Sequence, residues 1–161
     1  MALNMSTGLA ALLLGPHAFD DIFRDGAIEI RTGVQPANAD AAATGALLGR
    51  VTRDGGSWVA GAPANGLRWY RDGRFALTHP DQRWVLTGLD SGIAGWFRIV
   101  GNAYDSGGAS LSLPRIDGAV AAIPADDDPP GDAQIFLLTT SLSPAISQPF
   151  DSVWFALPPL E

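Results

Sequence analysis

The chain reads as a mainly β protein: a single antiparallel β-sandwich, jelly-roll-like, with a short N-terminal helical segment. Three observations predict this. Apolar and polar residues alternate on both sides of Ser106-Gly-Gly, through Gly95-Trp-Phe-Arg-Ile-Val-Gly-Asn-Ala and again through residues 111–121, the signature of two half-buried strands. Nineteen glycines and twelve prolines, spread along 161 residues, fit many short strands joined by turns. Helical spacing of apolar residues is confined to the start and gives way to a period of two near Gly26. The division is therefore a helical segment over residues 1–25 and a sandwich over 26–161.

Ser6 is a good helix N-cap, with Leu9, Leu12 and Leu13 at i, i+3 and i+4 behind it and Gly15-Pro16 as the stop. Residues 18–24 carry Phe19, Ile22 and Phe23 at helical spacing before Gly26. Two readings of this segment stay open: a helical hairpin lying on the sandwich, or an apolar segment that docks on a neighbouring subunit.

From Ala27 the period is two, with Ile28 and Ile30 on one face and Glu29 and Arg31 on the other. The connection through Gln35-Pro36 and residues 37–45 is long for a hairpin and is expected to cross the sandwich. Residues 47–53 form the next strand, closed by Asp54-Gly-Gly, which tolerates positive φ. Short strands are expected at Trp58-Val59 and at 66–70, and Asp72-Gly73 turns a tight hairpin into 74–77. Residues 84–89 and 95–103 pair around Asp90-Ser-Gly. Strand 111–121 follows, with Pro114 marking an edge or bulge. An acidic loop at 126–132, a strand at 134–140, and a segment at 146–150 beside a last strand at 152–157 complete the chain.

Composition narrows the function classes. Hydrophobic residues make up 47% and charged residues 17%, far from a disordered chain. The net charge is −7, and the ten cations, all arginine, are scattered singly from Arg24 to Arg115, which argues against a nucleic-acid partner. Without cysteine there are neither disulfides nor thiolate metal sites. The apolar run from Leu9 to Leu14 is too short to span a bilayer, and no cation precedes Arg24 to make it a signal peptide. No membrane partner and no cleaved export signal are expected.

Signatures of chemistry are missing. No serine stands in a nucleophile elbow, His17 and His79 are isolated, and the glutamates are only Glu29 and Glu161. No glycine-rich nucleotide loop precedes a helix. No catalytic, cofactor-binding or metal-binding residue is therefore assigned. Asp126, Asp127, Asp128 and Asp132 lack the spacing of a calcium loop and read as a solvated turn. Trp58, Trp69, Trp84, Trp96 and Trp154 all fall on expected strands, where a large aromatic more often fills a core or a subunit interface than stacks on a sugar. Arg98 shares a strand face with Trp96 and Val100, and burial would require a partner, either Asp117 or Glu29. The candidate interface residues are Leu9, Leu12, Leu13, Phe19, Ile22, Phe23, Trp96 and Arg98.

The order of several segments resembles a family of small tailed-bacteriophage virion proteins. They are Met1-Ala-Leu-Asn-Met-Ser-Thr-Gly-Leu, Ala27-Ile-Glu-Ile-Arg-Thr-Gly with Gln35-Pro36, and Ala39-Asp-Ala-Ala-Ala-Thr-Gly. Leu47-Leu-Gly-Arg-Val-Thr, Gly95-Trp-Phe-Arg-Ile-Val-Gly-Asn-Ala and Leu113-Pro-Arg-Ile-Asp-Gly follow, then Thr140-Ser-Leu-Ser and Phe150-Asp-Ser-Val-Trp-Phe-Ala-Leu-Pro. Residues 58–83 depart from the pattern. The resemblance implies a virion structural protein without enzymatic activity, made in the host cytoplasm and carried on the outer surface of head or tail. A capsid decoration (cement) protein on the major capsid protein lattice, acting as a homo-oligomer, is its leading form. A tail- or neck-attached protein, including a glycan-binding adhesin, is the alternative.

Overall fold

A computed structural model describes residues 3–73, 75–124 and 133–150, and the backbone of 154–156. Its elements in chain order are β1 (Asn4–Met5), α1 (Thr7–Leu13), α2 (Phe19–Ile22), β2 (Ala27–Thr32), β3 (Leu47–Arg53), β4 (Trp69–Asp72) and β5 (Phe75–Thr78). They continue with β6 (Trp84–Gly88), β7 (Gly92–Val100), β8 (Arg115–Ala122), β9 (Ile135–Leu137), β10 (Ser141–Leu142), β11 (Ser147–Pro149) and β12 (Trp154–Ala156). The protein is mainly β with two short helices near its start, the class the sequence predicts.

Among the described residues the strands form two sheets. The larger runs β1-β8-β7-β2-β3-β6-β11, with β10 added to β7 and β9 to β8; the smaller runs β12-β5-β4. Every pairing is antiparallel except β8 with β9. The small sheet meets the large one through aromatic edges: Trp69 on β4 stands 4.8 Å from Trp84 on β6, and Phe19 of α2 lies 5.2 Å from Trp69. The rings cross nearly edge to face, at 85° and 89°, which satisfies their quadrupoles as well as their apolar surface. At the far margin the Gln148 side-chain amide on β11 donates to the Thr139 carbonyl beside β10, tying the C-terminal strands together.

Register makes the core. Ile116, Ile99, Ile28, Val51 and Leu86 are successive cross-strand partners, so five strands contribute to one apolar row. Phe97 stands opposite Gly118, and a Cβ there would sit 2.6 Å from the ring, so glycine is what lets the ring lie on the neighbouring strand.

The N-terminal segment is part of this core. Ser6 caps α1, as its sequence position predicts, accepting from the Leu9 amide. The same hydroxyl accepts from the Arg115 amide and donates to the Leu113 carbonyl, fastening the helix to the start of β8. Leu9 and Phe23 are 0% exposed. The segment also contributes β1 to the sheet edge. A boundary at residue 25 thus separates neither the strands, since β1 precedes it, nor the packing, and removal of residues 1–23 would open the core.

Several strand partners differ from the sequence expectation. Residues 84–89 and 95–103 do not pair, because the β2–β3 hairpin is inserted between β6 and β7. The long connection at 33–46 joins directly paired neighbours instead of crossing the sandwich. Strand 111–121 begins only at Arg115, after Pro114. The segment at 146–150 lies beside β6, and β12 lies beside β5. Alternation of side chains specifies a strand's faces and says nothing of which edge receives it. Trp58-Val59 is not a strand but part of the loop between β3 and β4. The acidic stretch 126–132 is outside the described residues, save that 133 and 134 resume the chain.

Candidate functional site

One residue along each strand from the apolar row, the opposite face of the large sheet carries charge. Asp117, Arg98, Glu29 and Arg50 are successive partners across β8, β7, β2 and β3, with Thr87 of β6 next in the row. Signs alternate along it. Arg98 donates through Nε and Nη2 to the two oxygens of Asp117, both at 2.7 Å, and is 1% exposed. Glu29 accepts from Arg31 through one oxygen and from Arg50 through the other, at 2.8 and 3.0 Å. Arg115, next along β8 on the same face, forms a second fork with Asp105 at 2.7 and 2.6 Å. Of the two partners open to Arg98 in the sequence, the fork goes to Asp117.

Loops roof this layer. Residues 33–46 place the Ala39 and Ala41 carbonyls over both Arg98 and Arg115. Residues 101–113 bring Asp105 and the Gly108 carbonyl to Arg115. The two loops are linked to each other by the Ala43 amide to Gly107 and the Ser110 amide to Asp40. Trp96 lies within the layer, its indole N–H on the Thr32 carbonyl, with Arg98 5.4 Å and Arg31 6.0 Å from its ring.

The carboxylates respond to these surroundings. Burial pushes Asp117 upward, and its bonds and charge interaction with Arg98 oppose that without reversing it. Asp105 is also pushed upward by burial, but the Arg115 fork, the Gly107 amide and the nearby guanidinium charges together hold it below its ordinary value. Asp40 is lowered by the Thr7 hydroxyl and amide at the start of α1.

Beside the roof lies a cleft of about 220 Å³ lined by Glu29, Arg50, Trp58, Tyr104 and Asp105. Its walls are the β3–β4 loop, which carries Trp58, and the β7–β8 loop, which carries Tyr104. The Gly61 amide donates to the Asn102 carbonyl at 2.7 Å and fixes the two loops to each other. A larger groove of about 410 Å³ near α2 and β4 is lined by Arg24, Arg68 and Arg71. Each of those faces its own aspartate: Asp21, Asp25 and Asp20 respectively.

The interface residues named from sequence divide by burial. Leu9, Phe23, Trp96 and Arg98 lie inside the chain's own fold, held by core packing and by the ionic layer, so none offers a surface to a partner. Leu13, Phe19 and Ile22 pack on the core from its margin, and Leu12 is half-buried. Among the described large apolar residues of this segment Leu14 is the most exposed, at 90%, ahead of Met5 and Leu3, and the helical spacing does not single it out. Glu29, Arg50, Asp105 and Arg115 were not assigned as a group, because the strands and loop that carry them are far apart in sequence. Period-two spacing of Glu29 with Arg31 was the one available signal.

Among the described residues, His, Asp and Glu do not gather in threes as metal ligands, and no helix is long and apolar enough to cross a membrane. No protein-family model, curated protein or solved structure matches the chain.

Proposed function

We propose that this protein is a structural component of a bacteriophage virion, a capsid decoration protein that binds the major capsid lattice as a homo-oligomer and stabilises the head. The observation that carries the reading is the way charged groups are used. Arg98 with Asp117, and Arg31 and Arg50 with Glu29, are hydrogen-bonded ion pairs within the sheet, and Arg115 with Asp105 ties the β7–β8 loop to it. Such groups hold a rigid shape; they are not left bare for proton transfer or nucleophilic attack. The ordered sequence segments that resemble phage virion proteins supply the setting, and the acidic composition suits a protein made in quantity.

Binding only to the assembled lattice stabilises the lattice by mass action. Leu14, exposed on the surface of the N-terminal segment, is the residue we assign to that contact. Quantitative gel densitometry of purified particles tests the role: decoration requires an amount of the same order as the major capsid protein. An amount far below it would overturn the lattice role in favour of a tail or neck position. Leu14→Glu is expected to leave the thermal unfolding midpoint unchanged and to lower occupancy on empty capsids. Truncation is unsuitable for this test because Leu9 and Phe23 belong to the core.

A further inference from the structure

We propose that the cleft between the β3–β4 and β7–β8 loops binds one neutral pyranose ring of a glycan, an activity separate from the decoration role and independent of it. Sequence alone disfavours sugar binding because all five tryptophans fall on expected strands. That premise fails at Trp58. It lies in a loop, half-buried, and lines a cleft opposite Tyr104, which is 78% exposed. An aromatic face matches the apolar C–H face of a pyranose, and the ring's edge presents hydroxyls to polar groups around it.

The platform is already ordered. The Trp58 indole N–H donates to the Asp25 carbonyl at 2.8 Å, and the Arg50 guanidinium lies 5.5 Å from the ring. The Asn65 side chain holds the Ser57 carbonyl, and Gly61 is bound to Asn102. A rigid aromatic loses little conformational entropy on binding. The volume, about 220 Å³, is below the roughly 300–1,000 Å³ of sites for drug-sized ligands, so it suits one ring.

Each charged group that lines the cleft is already engaged in an ion pair, which disfavours a bare ion as its ligand. Glu29 is answered by Arg31 and Arg50, and Asp105 by Arg115. Hydrogen-bonding capacity remains after those pairs form. Glu29 is saturated, each oxygen taking two N–H bonds. Arg50 uses Nε and Nη2 on Glu29, which leaves Nη1 to donate. Asp105 Oδ2 takes one bond from Arg115 and has a lone pair left. With the Tyr104 hydroxyl, the cleft offers a donor, an acceptor and a group that is both. Neighbouring sugar hydroxyls, each donor and acceptor, satisfy that set.

The test is saturation-transfer NMR on the full chain with glucose, galactose and N-acetylglucosamine as probes, followed by titration of any that binds. At least one sugar is expected to bind with a Kd on the order of 1 mM and to shift the Trp58 indole N–H resonance. Tyr104→Ala, at an exposed position, is expected to keep the thermal midpoint and weaken binding about tenfold. Tetramethylammonium and inorganic phosphate are expected not to compete. Absence of transfer from all three sugars, binding unchanged in Tyr104→Ala, or displacement by either ion would overturn the proposal. The copy-number measurement is unaffected by any of these results, so the two readings fail separately.

Discussion

On one side of the large sheet Ile116, Ile99, Ile28, Val51 and Leu86 stand in a cross-strand row; one residue along the same strands Asp117, Arg98, Glu29, Arg50 and Thr87 stand in another, facing the opposite way. The first row is held by removal of apolar area from water, a force without direction, at about 25 cal/mol per Å². The second is held by bonds that require each partner at a fixed place. Loss of a methyl group from the first costs in proportion to the void left behind. Loss of one member of the second leaves a buried charge without its counterpart. The two rows also exclude each other's positions. A slip of one residue in any strand would carry a guanidinium into the core and an isoleucine under the polar loops. Both rows therefore oppose a slip, and the ionic row is expected to supply the greater part of the register specificity while the apolar row contributes most of the stability.

The largest effect is expected where the ionic row is broken on one side. Asp117→Ala leaves the Arg98 guanidinium buried and unpaired and should cost about 3–5 kcal/mol in urea unfolding. The double variant Asp117→Leu, Arg98→Met should recover most of that loss, since the cost belongs to the orphaned charge and not to the missing attraction. If register is what the pair supplies, the double variant will show broadened or doubled amide resonances at near-normal stability. Sharp single resonances would leave the apolar row as the sole determinant of register.

The apolar row should respond more gently and additively. Ile99→Ala is expected to cost about 2–4 kcal/mol, with no change in the number of amide resonances. A smaller effect, about 1–2 kcal/mol, is expected for Ser6→Ala. That hydroxyl serves the Leu9 and Arg115 amides and the Leu113 carbonyl at once, so its loss should also raise amide exchange at the β8 start.

The smallest effect distinguishes the two carboxylates of the ionic face by pH. Asp105 has a folded pKa below its ordinary value of 3.8. Its contribution is fully present above the unfolded pKa and is lost as pH falls through the folded one. Asp117 has a folded pKa above its ordinary value, so in the interval just above 3.8 its effect on stability declines as pH rises. Stability measured by urea midpoints from pH 6 to pH 3 should therefore fall toward acid less steeply in Asp105→Asn than in the parent. An unchanged acid limb would show that Asp105 carries no pH dependence.

Much of the fold was legible because alternation is a local property. Residues 47–53 match β3, Asp54 and Gly55 take the positive φ their turn requires, at 55° and 70°, and Ser6 caps its helix. The faces of β2 were legible from Ile28 and Ile30 against Glu29 and Arg31. Strand spacing also pointed to the burial of Arg98 and to Asp117 or Glu29 as its partner, and the structure gives the fork to Asp117. Trp58 was misread because Trp58-Val59 has the residue preference of a strand, yet Gly55, Gly56 and Gly61 around it and the hydrogen bond to Asp25 keep it in a loop.

The sequence by itself determined the longer strands, such as β2 and β3, which side of them is apolar, and the start of α1 at Ser6, because these depend on side-chain period and on caps within a few residues. The tertiary structure decided which edges meet, that β2 and β3 stand between β6 and β7, and that Leu9 and Phe23 belong to the core. It alone brought Glu29, Arg50, Trp58, Tyr104 and Asp105 around one cleft. The physical reason is range. Alternation is encoded between neighbours, whereas the choice of partner strand and the meeting of two distant loops depend on long-range packing that is settled only when the whole chain closes on itself.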